Sequence, residues 1–345
     1  MKARTFQDTL AICVTLTAGG TAHAIAPGDV KGFELELHPW GFEGRVDFLV
    51  ADTTAAGGLE SDALKAAFLE PGLLEVELTL GAVHTDAASQ PAISPLKVKG
   101  LVAERSLVEL PAAPAPGAPL LYRRYGVRFL DAARLLWGQH HPCALYTQKT
   151  LQDVLEANTG GKVSLTCDWQ DALGATHAQL FLGLLPEDGA SFYDFLVWYV
   201  DTRNGVLAYD YTAQSLALSA VKAESGTPVD VLAPDVDTVA LAFPEVPRHE
   251  VTVLNAVAEG PATTPVANAR AVSGIRQDVL VRTALANEVE ARVTLETARL
   301  KTPGLEVELG WRRFPAEALA PGTLVKLPSA DAWSAAGLVG GAASA

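Results

Sequence analysis

Residues 187–211 read EDGASFYDFLVWYVDTRNGVLAYDY, and this aromatic stretch decides how the middle of the chain folds. Ser191 is a good helix N-cap, and Asp194, three residues later, suits the first turn. The apolar residues that follow recur at helical spacing: Phe192, Phe195, Leu196, Tyr199 and Val200. Gly205 is expected to supply the left-handed residue after the last turn. The stretch therefore predicts a helix, a tight turn and a return to strand.

The aromatic rings of this stretch have three interpretations: a ligand-binding box, a buried core or a contact in an assembly. A contiguous stripe on one helix face is typical of core residues, because one side of a surface helix must be buried. Trp198 lies off the centre of the stripe. Since Trp is a common interface anchor, we interpret the stripe as core and Trp198 as a residue that faces a neighbouring subunit.

Composition places the chain among globular proteins. It has 345 residues, enough for two or three domains, with 49% hydrophobic and 19% charged residues. A net charge of −14 disfavours nucleic-acid binding, which needs a basic surface. No window approaches the about 18 uninterrupted apolar residues of a membrane-spanning helix, so stable membrane insertion is not expected. Cys13, Cys143 and Cys167 have no C-x-x-C spacing, which favours reduced thiols over a disulfide framework or a zinc site.

The N-terminus supports two interpretations. Lys2 and Arg4 precede the apolar run LAICVTLTA, and AHA at 22–24 resembles a signal-peptidase site. Against a signal peptide, the large apolar residues from Leu10 to Leu16 alternate with small or polar ones, which is the period of a half-buried strand. We favour the strand.

The first third of the chain is rich in alternating Val and Leu. The predicted strands are FELELH (33–38), GRVDFLV (44–50), LLEVELTL (73–80) and LKVKGLVAERSLVEL (96–110). A short helix is expected at 62–70, and PAAPAPGAP (111–119) predicts a loop that cannot lie inside a sheet. In the next strand, Tyr125, Val127 and Phe129 share one face, opposite Arg124 and Arg128.

Helices are expected in the middle of the chain and strands again at its end. Residues 131–138 and 150–161 predict helices, the second with a capping box of Thr150 and Asp153. The remaining predictions are strand at 206–221, linker or extended edge at 228–249, strand at 249–259, helix in the second half of 278–300, strands at 304–311 and 322–327, and a mobile tail at 329–345. The late helix is expected to pack through Ala291, Leu295 and Ala298. This order indicates an α+β fold in which barrels or sandwiches flank a helical section.

A search for catalytic and metal-binding patterns predicts no enzyme. The best metal candidate is His140, His141 and Cys143, with His84 or His177 as a further ligand. Adjacent residues of an extended chain point to opposite faces, so His140 and His141 do not easily share an ion. No G-x-S-x-G elbow, glycine-rich phosphate loop or H-E-x-x-H motif is present. We therefore predict no catalytic, cofactor-binding or metal-binding residues and no cofactor; a hydrolase with a dispersed site stays an alternative.

Three segments, in order, resemble the hub portion of the VgrG-type spike and tail-hub family of type VI secretion, contractile phage tails and extracellular injection systems. YTQKTLQDVLEANTG is similar to the family's F-Q-x-K-T-x-x-D-I segment, through Tyr146, Gln148, Lys149, Thr150, Asp153 and Val154. SFYDFLVWYVDTRNGVLAYDY is similar to its helix–turn–strand, through Phe195, Leu196, Gly205, Val206 and Tyr209. The third segment is the helix within 282–300 followed by LAPGTLVKL (319–327). The matching positions fall between 120 and 327, and Trp198-Tyr199 departs from the family's usual Arg-Leu.

The resemblance implies an α+β fold with two similar small β-barrels flanking a short helical section. The implied domains are a first barrel (1–130), a helix-containing middle domain (131–218), a second barrel with the closing helix (219–328) and a flexible tail (329–345). It implies a homotrimeric structural hub that joins the inner tube to the puncturing needle in a baseplate, the needle being an OB-fold plus β-helix on the same or a separate chain. Such a hub is cytoplasmic during assembly and exported with the tube and needle on contraction.

The alternative function is a secreted or periplasmic β-rich binding protein. In that case residues 1–24 are a cleaved signal and the aromatic stretch lines a pocket. The intact mass of the protein from native cells distinguishes the two, since the hub keeps its first 24 residues.

Overall fold

The first part of the chain folds into an antiparallel sheet of seven strands. The computed structural model describes residues 8–52, 62–84, 95–111, 121–222, 227–257, 262–282, 286–301, 305–312, 314–315, 319–327 and 342–344. The strands are β1 (Asp8–Ala18), β2 (Thr21–Ile25), β3 (Val30–His38), β4 (Gly41–Asp52), β5 (Leu74–His84), β6 (Leu96–Pro111) and β7 (Leu121–Leu130). Their order in the sheet is β2-β1-β5-β6-β7-β4-β3. A helix, α1 (Leu64–Leu69), lies between β4 and β5 in sequence.

Burial follows the alternation read from the sequence over the second half of β1, while Leu10 near its start is exposed. On β1, Val14 and Leu16 are buried while Cys13 is exposed. β1 is an inner strand, paired along its length with β5 and over its second half with β2. The strand interpretation of residues 10–16 is confirmed, as are the other four predicted strands and the helix within 62–70.

Pro111, the first residue of the predicted Pro/Ala loop, belongs instead to strand β6. Pro111 is the last residue of β6 and lies opposite Leu121, the first residue of β7. A proline is tolerated there because it stands at a strand end. Residues 112–119 of the predicted loop lie outside the described residues.

The middle of the chain mixes short helices with two small sheets. Its elements are α2 (Ala132–Trp137), β8 (Cys143–Thr150), α3 (Leu151–Ala157), β9 (Leu165–Asp168), α4 (Gln170–Leu173), β10 (Thr176–Gly183), α5 (Phe192–Thr202), β11 (Val206–Asp210) and β12 (Ser215–Ser219). β8 pairs with β10, and β12 lies between β11 and β9. The capping box of Thr150 and Asp153 is formed in both directions, as is that of Ser191 and Asp194, so both predicted helix starts are confirmed.

Residues 206–221 form a hairpin rather than one strand. β11 and β12 pair antiparallel, from Val206 opposite Ser219 to Asp210 opposite Ser215. Gln214 closes the turn with a φ of 55°. The sequence prediction missed this turn because its left-handed residue is a glutamine rather than the usual Gly or Asn.

The last part of the chain contains short strands and one long helix. Its elements are β13 (Val229–Asp230), β14 (Val236–Ala242), β15 (Glu250–Asn255), β16 (Ala262–Val266), β17 (Arg276–Val281), α6 (Ala286–Arg299), β18 (Glu306–Trp311), β19 (Leu324–Lys326) and β20 (Ala342–Ser344). The sheets are β13-β19-β20, β14-β18 and β16-β15-β17. The stretch 228–249 is thus partly an extended edge strand, β14. Of the predicted tail, residues 342–344 form β20, and residues 329–341 and 345 lie outside the described residues.

The closing helix α6 packs through a different face from the predicted one. Val289 and Val293, together with Leu300 just after the helix, contact the four buried valines of the β16-β15-β17 sheet, whereas Ala291 is exposed. The carboxylate of Glu296 is on the buried side, 2.7 Å from Arg292 and 3.3 Å from Arg299. The prediction was wrong because it followed apolar residues, whereas a buried and ion-paired Glu occupies one position of the packed face.

The protein is α+β, rich in sheet and poor in helix, and this part of the predicted fold class is confirmed. The described strands form one seven-stranded sheet and five sheets of two or three strands, and none of these sheets closes on itself within the described ranges. The two similar barrels and the domain boundaries stay predictions. One large hydrophobic core runs from β1 to β12, and two small ones lie after it.

Candidate assembly surfaces

The residues of the candidate metal site are not brought together. His140 Nε2 lies 3.1 Å from Asn158 Oδ1, and His141 Nδ1 lies 3.1 Å from the Ala190 carbonyl oxygen. Cys143 begins β8, while the further candidates, His177 and His84, lie on β10 and at the end of β5. Within the described ranges, no three His, Cys, Asp or Glu residues are placed to hold a metal ion, and the three cysteines are free. No described helix has the length and hydropathy to cross a membrane.

A buried cluster of charges, missed by the sequence analysis, ties β4, β6, β7 and the start of α1 together. Arg123 is 2% exposed and donates to Asp52 (2.7 Å), Asp62 (3.1 Å) and Glu109 (3.0 Å). Burial disfavours the guanidinium charge, but the bonds to Glu109, Asp62 and Asp52 outweigh it, so the pKa of Arg123 is raised. Arg123 lies two residues before Tyr125 on β7, so both side chains face the same side of the sheet. This spacing is the sequence signal that could have predicted the burial of Arg123. Because Arg123 and its three carboxylate partners are paired with one another, we interpret the cluster as structural.

The aromatic stretch is core on one side of α5. Phe192, Leu196, Tyr199 and Val200 are buried, and the Phe192 ring meets Trp137 edge-on at 5.3 Å. This confirms the core interpretation of the stripe. The Tyr199 hydroxyl donates to the Ala172 carbonyl at 2.9 Å, which satisfies its polar end.

At the end of α5, the residue with left-handed backbone is not the glycine that the sequence analysis expected. Asn204, with a φ of 54°, is the left-handed residue, so the prediction for Gly205 was wrong. Gly205 instead lies under the indole ring of Trp169, where a Cβ would overlap the ring atoms. The sequence pattern located the turn correctly but could not show the ring that requires the glycine.

The other side of α5 is apolar and open to solvent. Trp198 is 58% exposed and Val197 43% exposed, which agrees with the predicted position of Trp198 off the buried stripe. Val197 also lines a groove of about 700 Å³ together with Trp40, whose ring stacks on His38 at 5.3 Å. The role of Trp198 as a subunit contact stays a prediction.

A two-stranded ribbon of β8 and β10 carries a second exposed apolar surface. Leu145 and Phe181 lie directly opposite each other across the two strands. Their side chains are 58% and 71% exposed, while Leu182, the next residue on β10, is buried on the inner side. The Phe181 ring covers Gly183, which leaves no space for a Cβ there. An uncharged, exposed cross-strand pair of this size is typical of a contact surface.

A second ribbon, β14 and β18, also carries an exposed Phe, although Glu306 and Glu308 are exposed on β18. Among the described strands β14 pairs with β18 alone, antiparallel, from Val236 opposite Trp311 to Ala242 opposite Glu306. Phe243 follows β14 directly and is 75% exposed. Each ribbon therefore combines an exposed Phe with a strand that has one pairing partner in the part of the chain that the structure describes.

The hairpin β11–β12 docks the middle of the chain onto the first sheet. The backbone N–H of Tyr209 donates to the Pro39 carbonyl at 2.6 Å, and the Tyr211 hydroxyl donates to the His38 carbonyl at 2.7 Å. Gln214 bonds the β6 backbone at both ends of its amide, accepting from Lys99 N–H at 2.8 Å and donating to Lys97 O at 3.0 Å. These bonds hold the apolar surfaces of α5 at a fixed position relative to the sheet.

Comparison with known proteins finds similarity in fold but not in sequence. No family model matches the chain, and no curated protein matches it. Among solved structures, the 43 kDa tail protein of prophage MuSo2 from Shewanella oneidensis is similar with a TM-score of 0.53 and 13% identity, over 92% of this chain and 89% of that one. A tail protein from Neisseria meningitidis MC58 is similar with a TM-score of 0.53 and 10% identity, over 92% and 86%.

A chain of the PdpA–VgrG complex from Francisella is also similar. The TM-score is 0.53 and the identity 14%, over 80% of this chain and 44% of that longer chain. At these identities the comparison establishes fold alone. The fold is that of bacterial tail proteins and of a chain in a VgrG complex, so the resemblance read from the three sequence segments is confirmed at this level.

Proposed function

We propose that this protein is the structural hub of a contractile injection machine. It forms a homotrimer at the centre of a baseplate, joins the inner tube to the puncturing needle and is driven out when the sheath contracts. The observation that carries this proposal is the likeness to a prophage tail protein over about nine tenths of both chains, 92% of this one and 89% of the other. A likeness of that extent covers the whole architecture rather than one common substructure.

The proposed trimer solves a problem of symmetry. A tube with sixfold symmetry has to meet a needle with threefold symmetry, and three chains that each present two related barrels offer six equivalent platforms. In the proposal, the seven-stranded sheet belongs to the first barrel and the strands β13 to β19 to the second. The short sheets of the second half are then completed by contacts with other chains.

A mechanical role suits the chemistry of the described residues. The buried charges around Arg123 are used in ion pairs, and the histidines of the candidate metal site bond to an amide side chain and a backbone carbonyl. The similar solved proteins are described as tail proteins. We therefore propose a non-enzymatic function, with the tube, needle and other baseplate proteins as partners, assembly in the cytoplasm and export with the tube and needle.

The proposal is tested by the mass of the purified protein in solution. Sedimentation equilibrium is measured for the chain alone and after mixing with candidate tube and needle proteins from the same genome. We expect a species of three times the chain mass of 36.2 kDa, and rings in electron micrographs. A monomer at all concentrations and with every candidate partner would overturn the proposal.

The alternative of a secreted binding protein makes a different prediction for the N-terminus. Cleavage after Ala24 would remove β1, an inner strand whose Val14 and Leu16 are buried. The hub proposal therefore expects the protein from native cells to retain the mass of residues 1–24, measured by intact mass spectrometry. Loss of those residues favours the alternative.

A further inference from the structure

The strand β10 has an outer edge without the usual protection against pairing. Its eight residues, THAQLFLG, contain no Asp, Glu, Lys, Arg or Pro, and β8 is its one pairing partner in the described part of the chain. Soluble monomers normally guard such edges with lysine, proline, a bulge or a covering element. Phe181, the sixth of these eight residues, is 71% exposed. The edge is therefore suited to pair with another strand.

The strand β14 presents a second edge of the same kind elsewhere in the chain. From Thr238 to Ala242 it has no charged residue and no proline, and among the described strands it pairs with β18 alone. Asp237, at its start, lies beside the single irregularity in the pairing with β18. Phe243, 75% exposed, extends this uncharged run by one residue.

The charge of the protein indicates what covers these edges. Each chain carries a net charge of −14, so two copies repel wherever acidic surfaces meet. Contact between copies is favoured where the surface lacks charge, as it does on β10 and on β14 from Thr238. A basic partner protein would gain most from the acidic surfaces instead. Uncharged edges on an acidic chain therefore fit a second copy of the same chain.

Two different edges are what a ring needs. In a closed ring of more than two copies, each contact joins one patch to a different patch on the neighbour. We propose that β10 of one copy pairs with β14 of the next, so that the two ribbons form a four-stranded sheet in the order β8-β10-β14-β18 across the interface. This inference rests on the proposed trimer and specifies the surfaces that build it. Pairing satisfies both free backbone edges and removes Phe181 and Phe243 from water.

The test uses lysine substitutions at the two exposed phenylalanines. Phe181→Lys and Phe243→Lys each place a charge at one of the two edges, and neither side chain belongs to the core. Val221→Lys is the matched control, because Val221 is 73% exposed and lies on neither strand. The trimer dissociation constant is measured by sedimentation, and thermal unfolding confirms that each variant is folded. We expect each phenylalanine variant to weaken the trimer at least about tenfold and the control to leave it within about twofold.

A double variant separates direct pairing from independent effects. Phe181→Lys combined with Phe243→Glu in one chain places opposite charges on the two edges that meet, and we expect it to recover most of the lost affinity. Trimers that are unaffected by either lysine would overturn the inference while leaving the hub proposal intact. Loss that the double variant does not reverse, or loss of tube or needle binding with an intact trimer, assigns the edges to other contacts and also overturns it. A monomeric wild type under every condition would end both proposals.

Discussion

Asp131 carries a carboxylate into the core at the junction between β7 and α2. It is fully buried, and its Oδ1 accepts the N–H of Arg134 at 2.9 Å, which caps α2. Within the described residues its Oδ2 has no hydrogen-bond partner. This oxygen faces Gly41, which has a φ of 148° and no space for a Cβ. The glycine at the start of β4 is thus required by the carboxylate as well as by its backbone.

Burial raises the pKa of the Asp131 carboxyl above its ordinary value of 3.8, although the backbone N–H of Arg134 acts in the opposite direction. A carboxyl whose pKa is raised on folding binds its proton more tightly in the folded state. Its contribution to stability is therefore complete below the ordinary value and is lost as the pH rises through the raised value. Asp131 stabilises α2 as its N-cap, but at neutral pH the folded protein has to accommodate the buried charge of its carboxylate.

We predict that Asp131→Asn changes the pH dependence of stability. The amide oxygen still caps α2, while the buried charge is absent. The free energy of unfolding of the variant relative to the wild type should therefore rise between about pH 4 and about pH 7, by roughly 1.4 kcal/mol for each pH unit by which folding raises the pKa of Asp131. Urea unfolding at both pH values measures the difference. Asp153→Asn is the control, because bonds to Thr150 lower the pKa of Asp153 below its ordinary value of 3.8, so its difference from the wild type should change little between the same two pH values. A constant difference between Asp131→Asn and wild type across the range would contradict the prediction.

Among the elements, the hairpin β11–β12 works as a clamp between two parts of the core. β6 pairs with β7 from Leu101 onward, so the backbone of its first residues is open on that side. The amide of Gln214 takes the place of a strand there, with one donor and one acceptor for the backbone of Lys97 and Lys99. The Gln214 side chain thus forms the hydrogen bonds to β6 that a neighbouring strand would otherwise form, at the point where the helical section contacts the sheet.

We predict that Gln214→Glu weakens this clamp even though the shape is retained. The carboxylate can accept from Lys99 N–H but cannot donate to the carbonyls of Lys97 and Tyr211, so both donated bonds are lost and oxygens face oxygens. Gln214→Ala also loses the bonds that the amide oxygen accepts from Lys99 N–H and the Tyr209 hydroxyl. Each bond is worth about 1 kcal/mol. Urea unfolding and hydrogen exchange of the Lys99 amide measure the loss. Gln152→Ala removes an exposed amide that bonds Glu156 on the same helix, and should change stability by less than about 0.5 kcal/mol.

If Gln214→Ala behaved like Gln152→Ala, the clamp would have no energetic role, and the burial of Tyr211 and its neighbours would hold the hairpin alone. Exchange at Lys99 would then be unchanged. Faster exchange at Lys99 without a change in global stability would indicate local opening of the clamp.

The elements predicted from sequence are those that depend on near neighbours in the chain. Both capping boxes were found because Thr150 and Asp153, or Ser191 and Asp194, bond within one turn. The buried alternation of β1 was found because burial on a sheet follows a period of two. What failed depended on distant partners: the face of α6 was set by the buried valines of the β16-β15-β17 sheet, and the requirement for Gly205 by the ring of Trp169.

The predictions for the candidate surfaces also succeeded where they depended on near neighbours in the chain and failed where they depended on distant partners. Sequence spacing placed Trp198 off the buried stripe of α5. It did not single out Phe181, because the exposure of that residue follows from the pairing of β10 with β8. Nor did it find the inward-facing Arg123, whose partners are 14, 61 and 71 residues away. A periodic pattern shows which face is buried, while the strand that pairs next is fixed only in three dimensions.

At the scale of the whole molecule, the hydrophobic core is distributed unevenly. One continuous cluster supports the chain from β1 to β12, whereas the later strands rest on clusters of four and three buried residues, such as Val251 and Val253 in one and Val325 in the other. Clusters of that size stabilise little on their own. Exposed apolar residues occur in this region as well, with Phe243 at 75% and Ile275 at 58%. The second half of the chain is therefore the part with most to gain from contacts with other chains.

We predict that salt strengthens the assembly at neutral pH. Three chains bring together three times the charge of −14, and the proposed contact edges are uncharged, so repulsion opposes assembly and is not offset at the interface. The screening length falls from about 30 Å at 0.01 M salt to about 3 Å at 1 M. The trimer dissociation constant should fall by roughly tenfold or more across that range, measured by sedimentation at fixed protein concentration.

The control for this prediction is the isoelectric pH. Near the sequence pI of about 4.9 the net charge approaches zero, and the same salt series should then leave the dissociation constant nearly unchanged. An interface held by exposed ion pairs would give the reverse trend at neutral pH, because salt weakens such pairs. Dissociation on addition of salt would therefore contradict the uncharged interface. A salt response of equal size at both pH values would show that screening of the net charge is not its cause.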